Sequence, residues 1–79
     1  MRVKKPRFVI TFASTTDAMA MESASKRLGL PGRLIPVPRD ISASCGLSYM
    51  CEVEEAETLK AAIEQENLQT EGFYTILMY

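Results

Sequence analysis

The chain of 79 residues contains no histidine. One absence removes both the commonest general base and the commonest metal ligand. Cysteine is scarce as well: two residues, Cys45 and Cys51, are too few for a disulfide scaffold, and no Cys-x-x-Cys spacing is present. That argues against a soft-metal site or a dithiol redox motif. Much of the interval between the two cysteines reads as strand. At about 3.3 Å per residue, their separation then exceeds disulfide range. No apolar run approaches the length of a membrane span. Arg2, Lys4, Lys5 and Arg7 stand near the start without the apolar run that would make a signal peptide. The expected compartment is cytoplasmic and reducing, with no membrane partner. No internal repeat or low-complexity segment interrupts the chain.

What is present makes one small domain. Apolar residues are 47% of the sequence, enough for a core, though a chain this short buries a modest share of its surface. The net charge of −1 conceals an uneven distribution. Up to Arg39 there are eight basic and two acidic residues; from Asp40 onward there are eight acidic residues and one basic, Lys60. Solvated helix faces account for most of this. A charge-steered partner or a head-to-tail oligomer is the sharper reading. Residues 1–6 read as a flexible basic arm, and residues 7–79 as the domain. Four charges without interleaved aromatics are weak grounds for nucleic-acid binding.

Arg7 to Phe12 predicts a central strand, β-branched and aromatic on both faces. Ser14 starts a helix with Asp17 three residues on, as in a capping box. Ala18, Met21, Ser25 and Leu28 recur at helical spacing, Glu22 and Lys26 can pair across a turn, and Gly29 stops the helix. Arg33 to Val37 predicts a short strand closed by Pro38, and a proline there points to a sheet edge. Leu47 to Val53 predicts a third strand, with Leu47, Tyr49, Cys51 and Val53 on one face. Cys51 then reads as a small buried hydrophobe. Glu54 to Glu66 predicts a second helix with acids in its first turn and Ala56, Leu59 and Ile63 buried; Asn67 ends it. Phe73 to Tyr79 predicts a last strand. The order β-α-β-β-α-β is the ferredoxin-like arrangement of the α+β class, an antiparallel sheet with both helices on one face. The other face carries Val9, Thr11, Tyr74, Ile76 and Met78, or their alternating neighbours. Either set is apolar enough to imply self-association or a partner.

The same topology singles out the loop after the second strand. The first two strands run parallel, so this loop and the start of the first helix share one end of the sheet. Cys45 lies in the loop. The amides of Thr15, Thr16 and Asp17 lie at the helix start, free or capped by Ser14. A helix N-terminus and a guanidinium such as Arg39 both favour a thiolate. Gly46 leaves room for close approach, and Ser42 and Ser44 could donate hydrogen bonds to an anion. Alternatively Ser42 or Asp40 caps a short helical turn ending at Cys45, or Arg39 merely pairs with Asp40.

Phe12-Ala13-Ser14 followed by TDAMAMES, the PVPR-DISASCGL block and the final GFY together resemble a family of small bacterial domains described as Se/S carrier-like. The resemblance spans roughly residues 7–76, and Pro36-Val37-Pro38-Arg39 and Ser44-Cys45-Gly46 are its most specific part. It implies selenium or sulfur held on Cys45, with Pro38, Arg39 and Gly46 in the surrounding motif. Members often carry a His after the helix-start threonine; this chain has Thr16-Asp17. The implied mechanism is a relay: Cys45 takes sulfur or selenium from a donor protein as a persulfide or selenosulfide and yields it to an acceptor, with no metal or organic cofactor. That is a carrier, not a turnover enzyme. Two other classes stay open. One is a module that holds a small anion with Arg39 and the helix start at Ser14, Thr15 and Thr16. The other is a subunit assembled as a homo-oligomer through the sheet face.

Overall fold

β-branched and aromatic residues in alternation set the first strand of the computed structural model, which describes residues 3–78. Strand β1 (Lys5–Thr11) leads to helix α1 (Thr15–Leu28), strand β2 (Arg33–Pro36), strand β3 (Leu47–Glu52), a 3-10 turn (Val53–Glu55), helix α2 (Ala56–Gln65) and strand β4 (Gly72–Met78). Lys5 and Pro6 thus open β1, two residues before the expected start; Met1 and Arg2 of the expected arm, and Tyr79, lie outside the described residues. The sheet order is β2-β3-β1-β4 and every pairing is antiparallel. This is the ferredoxin-like α+β fold, with β1 inside the sheet and β2 at its edge. Among the described residues no helix is long and apolar enough to cross a membrane.

Local chemistry explains the boundaries. The Ser14 hydroxyl accepts the Asp17 amide at 3.2 Å and starts α1. Gly29 ends it in the left-handed region, with Lys26 and Arg27 in the last turn. Val53–Glu55 winds as a 3-10 turn before α2, and the Glu55 carboxylate accepts the Glu52 amide at 3.0 Å. Asn67 takes φ 55°, and the Leu68 amide closes on the Ile63 carbonyl at 2.9 Å, so α2 stops there.

The core lies between sheet and helices. Phe8, Ile10 and Phe12 from β1 and its end, Tyr49 and Cys51 from β3, Ala18 and Met21 from α1, and Ala56, Leu59 and Ile63 from α2 form one buried cluster. Burying each large side chain among them is worth about 1.5–3 kcal/mol. Leu28, expected on the buried stripe, is exposed next to the Gly29 cap that ends α1. Its neighbour Arg27 pairs with Glu66 beyond α2. Gly32 wedges against β3. At its φ of +101°, an added Cβ would sit 2.4 Å from the Met50 carbonyl oxygen and 3.1 Å from Cys51 Cβ.

The opposite sheet face carries Val9, Thr11, Tyr74, Ile76 and Met78, joined by Ile35, Ser48 and Met50 through the strand register; Val9, Thr11 and Ser48 are buried even though no helix covers this face. Arg7 and Glu52, opposite each other there, form an ion pair. Tyr74 lies back over Gly72, where an added Cβ would meet its ring carbon Cε1 at 3.1 Å and its hydroxyl oxygen at 3.2 Å. An aromatic ring thus covers a glycine backbone on an open sheet face.

Candidate functional site

Antiparallel pairing of β3 with both β1 and β2 makes β1 and β2 parallel, so their C-terminal ends share one end of the sheet. Three connections meet at that end: residues 12–14 into α1, residues 37–46 between β2 and β3, and residues 66–71 into β4. The middle loop is closed at its neck by the Val37 amide on the Gly46 carbonyl at 3.1 Å. A turn at Pro38–Ile41 is closed by a 3.0 Å bond, and buried Ile41 anchors it.

Cys45 hangs from this loop into the core and is 6% exposed. Its Sγ lies 3.7 Å from Thr15 Oγ1, where either atom can donate, and it accepts the Leu47 amide at 3.4 Å. The sulfur therefore sits at the first residue of α1, as the topology requires. Ser44, next to it, donates twice to one carboxylate: its amide to Glu71 Oε1 at 3.2 Å and its hydroxyl to Glu71 Oε2 at 2.7 Å. Glu71 is held in turn by its own amide on the Thr11 carbonyl at 2.7 Å. This acid precedes β4 and ties the thiol loop to the end of the sheet.

The other sequence candidates are more dispersed. Arg39 and Asp40 occupy the exposed corners of the Pro38–Ile41 turn, and neither forms an ion pair among the described residues. No helical turn precedes Cys45. Ser42 is exposed, Ser14 has its hydroxyl engaged by the Asp17 amide, and Thr16 faces solvent. Gly46 is exposed, with nothing within 4 Å of an added Cβ. Glu71 and the Leu47 amide are the members that sequence reasoning missed. The usable signal was topological: β4 begins at the same sheet end as the loop.

Cys51 has a different setting. It is 2% exposed inside β3, and burial, with the Glu55 carboxylate adding to it, pushes its thiol up to about 11. A shallow cleft lined by Glu22, Lys26, Leu30, Arg33 and Tyr49 lies between α1 and β2, at the far end of the sheet from Cys45. The Tyr49 hydroxyl there donates to the Pro31 carbonyl at 2.9 Å.

Over residues 7–75 the chain matches the family described as "Putative Se/S carrier protein-like". It belongs to that family. The Se/S carrier-like match includes β1 from Arg7 on, both helices, β2, β3, the Cys45 loop and the first residues of β4. No curated protein and no solved structure matches the chain.

Proposed function

We propose that this Se/S carrier-like protein holds sulfur or selenium covalently on Cys45. The observation that carries the reading is the pair of contacts on Sγ, the Thr15 hydroxyl and the Leu47 amide, at the start of a helix. Hydrogen-bond donors and a helix N-terminus stabilise an anion on sulfur, whether thiolate or terminal persulfide. In loading, the Cys45 thiolate attacks the outer sulfur of a donor persulfide. The new S–S bond forms on Cys45, the donor's S–S bond breaks, and the donor thiolate leaves with the electron pair. The terminal sulfur keeps its proton or releases it to water. Unloading is the same displacement by an acceptor nucleophile, with Cys45 as leaving group, and neither step needs an external oxidant or reductant. Selenium in place of the outer sulfur follows the same balance.

A thiol 6% exposed meets a donor only when its loop moves outward. The loop is local: opening it breaks the Ser44–Glu71 contacts and the sulfur contacts but leaves the strand pairing intact. Glu71 is therefore a positioning residue in this reading. The test is incubation with cysteine and a cysteine desulfurase, followed by non-reducing mass spectrometry with fragmentation. The expected product is one added sulfur on Cys45, absent in Cys45→Ser and retained in Cys51→Ala. Sulfur found on Cys51, or transfer that persists in Cys45→Ser, overturns the proposal, as does failure of the native chain to load.

A further inference from the structure

The two edges of the sheet are built differently. β2 has four residues, an exposed Arg33 and Pro36, with Pro38 just beyond. Short length, charge and proline are the devices that keep an edge from pairing with another strand. β4, at the other edge, has seven residues, GFYTILM, with no charge and no proline. Among the described residues it pairs with β1 alone, so its other side is a free edge of the sheet. Apolar side chains flank that free side on both faces: Phe73 is 45% exposed, Leu77 61% and Tyr74 38%. We propose that β4 pairs antiparallel with β4 of a second copy of this chain, joining two sheets into one of eight strands.

Charge selects a second copy as the occupant. A two-fold interface sets a surface against itself, so any charge near the axis meets its like. β4 has none. The charges around β4 are of both signs: Glu71 precedes it, Lys5 and Arg7 lie on β1 opposite Met78 and Ile76 with Arg7 paired to Glu52, and Lys60, 5.7 Å from the centre of the Phe73 ring, lies 3.6 Å from Glu57. A net charge of −1 per chain adds little repulsion between copies. An axis at Thr75 places Phe73 opposite Leu77 of the second copy on the helix side, and Tyr74 opposite Ile76 on the other. All are apolar cross-strand pairs of the kind that stabilise antiparallel ribbons. Both helix layers then lie on the same side of the joined sheet. The two Cys45 loops point to opposite ends, because each sits at the N-terminal end of its own β4.

This inference is independent of the carrier reading and is tested without sulfur. Sedimentation equilibrium of the full chain is expected to give twice the 8.8 kDa chain mass. Thr75→Lys, at an exposed site, sets two like charges across the axis and is expected to return the chain mass with an unchanged circular dichroism spectrum. If that variant fails to fold, Leu77→Lys takes its place. Ile35→Lys, on the open sheet face and away from β4, is expected to leave the dimer intact. A wild-type chain at the single-chain mass at all concentrations overturns the proposal. So does a dimer that survives the β4 lysine, or one that Ile35→Lys dissociates.

Discussion

Cys45 and Cys51 are the same residue, both buried, six positions apart, and free. They differ in what holds them in place. Cys51 belongs to a paired strand, opposite Phe8, and Gly32 sits so close that an added Cβ there would lie 3.1 Å from the Cys51 Cβ. Exposing it means opening the sheet. Cys45 belongs to a loop fixed by a handful of hydrogen bonds, beside a glycine facing open space. Burial depth alone therefore does not separate the two thiols. The difference lies in the size of the unit that must open, from a local loop to the whole fold.

The strongest way to break this contrast is through the two glycines. Gly32→Ala combines left-handed backbone strain with a collision against the β3 backbone, and it is expected to cost about 3 kcal/mol or more in urea unfolding. Native Cys51 should then become alkylatable. Gly46→Ala is expected to stay within about 1 kcal/mol of wild type. Equal losses at both positions would erase the distinction.

Alkaline unfolding sharpens the Cys51 side. The folded thiol is raised from 9.0 to about 11, so between those values the unfolded state releases a proton that the folded state keeps. The stabilisation is complete below pH 9.0 and is lost as pH rises toward about 11, a decline on the order of 2 kcal/mol. Tyr49, raised chiefly by its burial, adds a loss of the same sign above its ordinary 10.0. Urea midpoints against pH should show the decline, and Cys51→Ala should flatten its lower part.

A smaller effect is expected at the clamp. Glu71→Ala removes both acceptors of Ser44, and at about 1 kcal/mol for such hydrogen bonds the Cys45 alkylation rate should rise roughly fivefold or more. Cys51 labelling should not move. If both cysteines accelerate together, the loop does not open on its own. The smallest change is expected for Arg39→Ala, an exposed turn residue with no ion pair among the described residues: stability within about 0.5 kcal/mol of wild type, and Cys45 labelling close to it. A large loss of labelling there would restore the guanidinium to the thiol's surroundings.

The elements were legible because their signals are local. Ser14 with Asp17, Gly29, Pro38 and the alternation in β3 each act within a few residues, and the β-α-β-β-α-β order and the edge position of β2 follow from them. The apolar rows on the open face needed only the choice of register, and Val9, Thr11, Tyr74, Ile76 and Met78 are the set that faces it. Less legible was whatever depends on distant chain. The Val53–Glu55 turn reads as the end of a strand at Val53 and the start of a helix at Glu54, because its acids suit a first turn of either kind. Arg39 and Cys45 are close in sequence, yet the Pro38–Ile41 turn leaves the guanidinium at an exposed corner. Glu71 reaches Ser44 across 27 positions and a helix, and no periodicity reports such a contact. Only the sheet order brings the two together.

The bond from the Tyr49 hydroxyl to the Pro31 carbonyl has an optical consequence. The chain has no tryptophan, so its near-ultraviolet spectrum is left to tyrosine. Tyr49 is 1% exposed and its ionisation is displaced upward, whereas Tyr74 lies on the open face. Phenolate absorbance from the buried ring thus records the moment the sheet parts from α1, without any added label. Followed beside Cys45 labelling in the same sample, it separates a loop that swings from a fold that melts.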